Sequence, residues 1–269
     1  MTSELVGRSR DTKRRLFGLD ITTFDRAALL DLLATSMDSG VRLSVSWLNP
    51  YYVTAAHGDA DLTRAMNAFD VLQPDGWGVV WAARLAGIDL TERLAIEDIE
   101  RPLFERMARS GHSVYLFGSA PGVAALAGET LAREFPGLTI AGSEHGWYDS
   151  MAGHRGRYTD ADNDRIVDAI NAARPDLLLV GLPTPLQQHW SLTNRDRLDV
   201  PLLMTTGAYF DHLAEGVDWY PRWMDHWQLD WLYRLSREPR RLARRYTIGM
   251  AGYGLLVARE TVRTRLRRR

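Results

Sequence analysis

The chain contains no cysteine, which excludes disulfides, thiol nucleophiles and cysteine metal sites. Lys13 is its only lysine, so nearly every cation is an arginine, the side chain suited to two-pronged contacts with phosphate or carboxylate. No apolar run approaches the roughly 18–20 residues that span a bilayer; the longest late stretch, at 248–258, is too short to cross. Residues 1–15 are polar and basic and lack the apolar centre of a secretory leader, so a cytoplasmic location is expected. Also missing are a glycine-rich dinucleotide fingerprint, a Walker A loop, a Gly-x-Ser-x-Gly nucleophile turn and histidines at metal-ligand spacing.

What is present is an ordinary globular composition, 45% hydrophobic and 25% charged over 269 residues, enough for one large domain or a domain plus an appendage. The formal net charge of -1 hides an uneven distribution. From Arg222 onward there are thirteen arginines against four acids, Asp225, Asp230, Glu238 and Glu260, so the preceding part is acidic. Such asymmetry points to an anionic partner at the C-terminal end.

Apolar, non-alternating stretches take turns with helical ones. Strands are predicted at 17–21, 41–47, leading into Asp75, and at 113–118, 138–142, 177–182 and 201–206. Helices are predicted between them. Asn49-Pro50 supplies an N-cap and a first-turn proline. The acidic pairs Asp59/Asp61 and Asp160/Asp162 each read as a helix start rather than a metal site. This pattern argues an α/β fold: a Rossmann-like parallel sheet with helices on both faces. Ligands then bind outside the carboxyl ends of the strands, where Asn49, Asp75, Gly118-Ser119, Gly142, Gly181 and Gly207 stand. Beyond Phe210, Trp219, Trp223, Trp227 and Trp231 recur every four residues and arginines follow, as in amphipathic aromatic and basic helices.

The segment Val71-Leu72-Gln73-Pro74-Asp75-Gly76-Trp77-Gly78 holds a carboxylate between a proline and a glycine after a buried strand. Pro74 fixes its own φ and Gly76 permits a positive one, so Asp75 is either a turn former or an acid placed for chemistry. Gly181-Leu182-Pro183-Thr184-Pro185-Leu186-Gln187 is a second rigid turn opening a helix, with Thr184 available as a cap. His145 lies in the turn Glu144-His145-Gly146-Trp147-Tyr148.

In these residues the chain resembles the WecG/TagA/CpsF glycosyltransferases over about residues 17–247. The matches run in order through Asn49, Pro74-Asp75-Gly76 with Gly78-Val79-Val80, Arg84, Arg93, Asp98, Leu116-Phe117-Gly118 and His145-Gly146. They continue through Pro175-Asp176 with the strand to Gly181, Pro185, Gln187, Trp190, Gly207, Phe210-Asp211, Trp231-Leu232-Tyr233-Arg234-Leu235 and Glu238-Pro239-Arg240-Arg241.

The resemblance implies a fold of the GT-E type with a membrane-associating helical appendage. It implies an inverting, metal-independent transfer from a UDP-sugar to a polyprenyl-diphosphate-linked saccharide in cell-surface polysaccharide assembly, with no cofactor. Asp75 would be the general base, with Arg93 acting beside it on the donor side. Trp47, Asn49, Gly118, His145, Trp147 and Gln187 would line the donor and sugar site. Arg234, Arg241 and Arg244 would meet the diphosphate at the anionic inner face of the membrane, where the protein is peripheral. The sequence departs from the family at Trp47, often threonine, and at Ile96, usually glycine. Further departures are Leu186-Gln187-Gln188, Trp219-Tyr220-Pro221 and Asp230. These lie around the expected sugar and acceptor region, leaving an N-acetylmannosamine-type sugar, its uronic acid or glucose as donors.

The expected organisation is a basic extension at 1–16, a catalytic domain at 17–210, an appendage at 211–247 and an apolar and basic tail at 248–269. A non-catalytic UDP-sugar-binding regulatory subunit is the alternative function. Interleaved tryptophans and an acidic main domain argue against a nucleic-acid partner. Self-association as a homo-oligomer would compete with membrane contact for the same apolar face.

Overall fold

The computed structural model describes residues 11–90, 92–147, 158–215 and 239–267, the side chains of 239–249, 251 and 267 excepted. A small hairpin comes first, β1 (Arg14–Leu16) against β2 (Leu19–Ile21). Its two-residue turn has Phe17 at φ 55 and Gly18 at φ 81, the doubly positive pair that a tight hairpin needs. Then follow α1 (Arg26–Ser39), β3 (Leu43–Leu48), α2 (Pro50–His57), α3 (Ala60–Asn67), β4 (Val71–Pro74), α4 (Trp77–Leu85) and α5 (Ile96–Ser110). The second half holds β5 (Ser113–Gly118), α6 (Val123–Glu134), β6 (Thr139–Glu144), α7 (Asp160–Ala173), β7 (Leu177–Gly181), α8 (Leu186–Asn194), β8 (Leu202–Thr205), α9 (Tyr209–Glu215) and α10 (Pro239–Arg267).

Six strands form one sheet in the order β4-β3-β8-β7-β5-β6, every pair parallel. Alternate residues serve opposite faces. Val45, Leu116, Leu179 and Met204 pack with α1, α5, α6 and α9. Phe117, Leu178, Val180 and Leu203 pack with α7 and α8. A third cluster joins Leu48 and Leu72 to the hairpin, α2, α3, α4 and α10. The expected doubly covered parallel sheet is present.

Two aspartates pin the amino-terminal edge. Asp70, just before β4, accepts from both the backbone N–H and the hydroxyl of Ser44, each at 2.8 Å. Asp176, just before β7, does the same for Ser113 at 2.7 and 3.0 Å. Each staple fixes neighbouring strands in register, since a one-residue slip would break two charge-assisted bonds. The Asp176 family marker therefore lies at the edge opposite the loops expected to bind ligand.

One sequence expectation changes and another is met. The sixth strand runs on to Glu144, so Gly142 is not a loop glycine: a side chain there would sit 2.5 Å from the Tyr115 ring. Asp59 caps α3 and Thr159 caps α7, so the acidic pairs do open helices.

Glu100 on α5 has its Oε2 enclosed without a hydrogen-bond partner among the described residues. Burial holds its carboxyl well above the usual range, and the charge of Glu97 adds to this, against a hydrogen bond from Tyr209. The folded state thus keeps a proton that the unfolded chain releases above about pH 4.3. Stability from this group is complete below that value and declines as pH rises toward the raised folded value. Glu100→Gln should flatten the decline: its Tm should match wild type near pH 4 and exceed it at pH 8. At about 2–4 °C per kcal/mol, scanning fluorimetry can read the difference. Parallel wild-type and variant curves would contradict a neutral Glu100.

Candidate active site

At the carboxyl edge, β3 and β4 end side by side and each feeds a helix. The Asn49 Oδ1 accepts from the Tyr52 backbone N–H at 3.1 Å and Pro50 opens α2. The Asp75 backbone N–H donates to the Leu48 carbonyl at 2.8 Å, so pairing persists one residue past β4. Gly76, at φ 86 and ψ 149, occupies a region open essentially only to glycine. Gly78 then passes so close to Pro50 that a Cβ would lie 2.8 Å from its Cγ. Half-buried Asp75 sits at the start of α4, next to the start of α2. Helix N-termini favour negative charge, so this corner suits a working carboxylate and an anionic substrate.

Gln187 joins the next loops to this corner. It is 1% exposed, and its Nε2 donates to Tyr52 Oη at 3.3 Å and Thr184 Oγ1 at 3.1 Å. Its Oε1 accepts from the Gly207 N–H at 3.1 Å. Thr184 is therefore not a cap: Pro185 is the N-cap residue of α8, which has no side-chain cap, and the Thr184 hydroxyl accepts from Gln187 instead. With both amide N–H groups engaged, Gln187 ties together α2, the β7–α8 turn and the turn after β8.

The crevice between β5 and β7 is a topological switch point, since β5 leads outward to β6 and β7 leads inward to β8, and ligands bind at such points. Here the backbones touch. A Cβ on Gly118 would lie 2.2 Å from the Gly181 carbonyl oxygen, and one on Gly146 would lie 2.3 Å from Leu182 Cδ2. Ser119, at φ 55, donates its hydroxyl to Asp211 Oδ2 at 3.3 Å. The Tyr158 hydroxyl holds the Gly146 carbonyl at 2.9 Å.

His145 Nδ1 accepts from the Trp147 backbone N–H at 3.3 Å, and His145 Nε2 lies 3.6 Å from Glu144. Trp147 is 51% exposed, an open ring surface beside the crevice. Gly118, His145 and Trp147 thus gather at one switch point, and Asn49, Asp75 and Gln187 gather across β8 from it.

Arg93 is fixed by Asp98 at 3.1 Å, while Asp98 also accepts from the Ala95 N–H at 2.8 Å. Trp47 packs in the core at 5% exposed, with its indole N–H unpartnered among the described residues. Arg234 lies outside the described residues. Arg241 and Arg244 fall on α10, with side chains outside those described. Among the described residues no three His, Asp or Glu side chains group to hold a metal ion. Sequence reasoning missed Tyr52 and Tyr158, whose hydroxyls bind partners 135 and 12 residues away. A phenol's distant partner leaves no local pattern.

The model of the glycosyl transferase WecG/TagA/CpsF family matches residues 14–267. The chain belongs to this family. Its relatives include N-acetylglucosaminyldiphosphoundecaprenol N-acetyl-beta-D-mannosaminyltransferases. The Bacillus spizizenii protein is 27% identical over 217 residues, covering 81% of this chain and 80% of that protein. The Staphylococcus aureus protein is 24% identical over 263 residues, covering 95% and 97%. Like other WecG/TagA/CpsF members, the chain is a glycosyltransferase.

Proposed function

We propose that this glycosyltransferase moves a sugar from a UDP-sugar to a polyprenyl-diphosphate-linked saccharide, with inversion and without a metal. The observation that carries this reading is the placement of Asp75, on a glycine-permitted turn between two helix starts at the carboxyl edge of the sheet. Asp75 takes the proton from an acceptor hydroxyl as that oxygen bonds to the anomeric carbon. The anomeric carbon–oxygen bond to UDP breaks, and its electron pair leaves on the β-phosphate. That charge needs preorganised cations, for which the reading uses Arg93, with Arg234, Arg241 and Arg244 near the diphosphate. Trp147 offers its face to the uracil, beside His145 and the Gly118 crevice. The reading assigns Asn49 to the sugar side, two residues after the core-packed Trp47.

The names of the relatives favour an N-acetylmannosamine donor and an N-acetylglucosamine-diphospholipid acceptor. The departures at Trp47 and Ile96 keep the uronic acid and glucose in play. For the membrane, no helix among the described residues is long and apolar enough to cross. The α10 surface instead supports peripheral contact with the inner leaflet. Leu255, Val262 and Leu266, at 62%, 58% and 68% exposed, share one helical line, with exposed Arg259, Arg263 and Arg265 nearby. Apolar anchors flanked by arginine fit an anionic lipid interface.

The test is a thermal-shift screen of UDP-sugars, followed by transfer assays with a short-chain diphospholipid-linked N-acetylglucosamine. One UDP-sugar should raise Tm and be transferred equally well with or without EDTA. Loss of transfer on chelation, restored by manganese, would overturn the metal-free mechanism.

A further inference from the structure

The Asp75 turn is held from a third side, by the far end of the chain. Tyr253 on α10 is 4% exposed, and its hydroxyl donates to the Gly78 carbonyl at 2.9 Å, a partner 175 residues away. Its ring lies 5.8 Å from that of Phe17, in the hairpin turn. Leu256 is buried in the same cluster as Val79 and Val80 of α4 and Val53 of α2. The absent side chain of Gly78 makes this possible: a Cβ there would lie 2.8 Å from Pro50 and 3.7 Å from Tyr253. The segment from Asp75 to Gly78 is thus gripped by the Leu48 carbonyl at one end and the Tyr253 hydroxyl at the other.

Gly78 belongs to the first turn of α4, so its carbonyl serves the helix ladder as well. The tyrosine bond fixes the tilt of that turn rather than rescuing a lost partner.

We propose that Tyr253 is a positioning residue for the Asp75 turn. This rests on the glycosyltransferase reading of Asp75.

Tyr253→Phe removes only the hydroxyl, whereas Phe17→Leu weakens the ring packing and leaves the hydrogen bond. In Tyr253→Phe, kcat should fall about tenfold, the usual scale for one well-placed hydrogen bond, with donor KM unchanged. Phe17→Leu should lower Tm while keeping kcat within about twofold. Hydrogen exchange gives a readout independent of chemistry. Amides of 76–82 should exchange at least about fivefold faster in Tyr253→Phe, and no faster in Phe17→Leu.

Unchanged exchange in Tyr253→Phe overturns the proposal whatever the enzyme transfers. So does a kcat that tracks Tm equally in both variants, which would make the contact merely structural. Faster exchange in Tyr253→Phe, in a protein whose wild type transfers no sugar, would instead defeat the proposed function and leave the mechanical link in place.

Discussion

Asp75→Asn should lower turnover about 10²–10³-fold, the scale of a lost general base, with fold and UDP-sugar affinity preserved. Asparagine matches aspartate in size, and the backbone bond from residue 75 to the Leu48 carbonyl does not involve the side chain. Gly76 still supplies the conformation that opens α4. The substitution removes the carboxylate's charge and its capacity to accept a proton while keeping the backbone of the turn. Single-turnover rates on a saturating donor isolate this step from product release. Donor affinity measured on the same preparation separates it from a binding defect. Turnover near the wild-type level would remove Asp75 from the chemistry and return it to the role of turn former.

The second large effect is on architecture. Gly118→Ala should cost about 3 kcal/mol or more, since neither backbone strain nor overlap with another backbone can be relieved by a side-chain shift. Gly118 sits at φ 143, and its Cβ would meet the Gly181 carbonyl oxygen at 2.2 Å. Gly122→Ala is the matched control. That residue has φ 85 but nothing within 4 Å of its would-be Cβ, so it should lose only about 1 kcal/mol, from left-handed strain alone. At about 2–4 °C per kcal/mol, the two variants should differ in Tm by several degrees. Equal Tm values would mean that the β5–β7 crevice opens readily and is not a fixed wall of the donor site.

Much of this was legible in the sequence. Apolar strands alternating with helices announced a parallel sheet, and Asn49-Pro50 marked the start of α2. Pro74-Asp75-Gly76 marked the turn carrying the candidate base. These signals are local, because caps, turns and periodicity act over a few residues. What stayed hidden was non-local or chemically atypical. The β1 strand was missed because the first position of its Phe17-Gly18 turn, at positive φ, is a phenylalanine rather than glycine or asparagine. Glu100 reads as a solvated helix acid until its carboxyl is found enclosed beside Tyr209. Gly142 looked like a loop residue, but it clears space for the Tyr115 ring within a strand. Thr184 looked like a cap, but Gln187 claims its hydroxyl. The Tyr253–Gly78 bond joins residues separated along the chain by four of the six strands of the sheet.

The two aspartate staples at the amino-terminal edge have a consequence for how such an enzyme diversifies. Asp70–Ser44 and Asp176–Ser113 set strand alignment from the rim farthest from the chemistry. The loops at the other rim are therefore relieved of that duty. Insertions and exchanges there can accumulate while strand alignment is held elsewhere. The sheet behaves as a chassis, on which new sugar preferences can be fitted without rebuilding the frame.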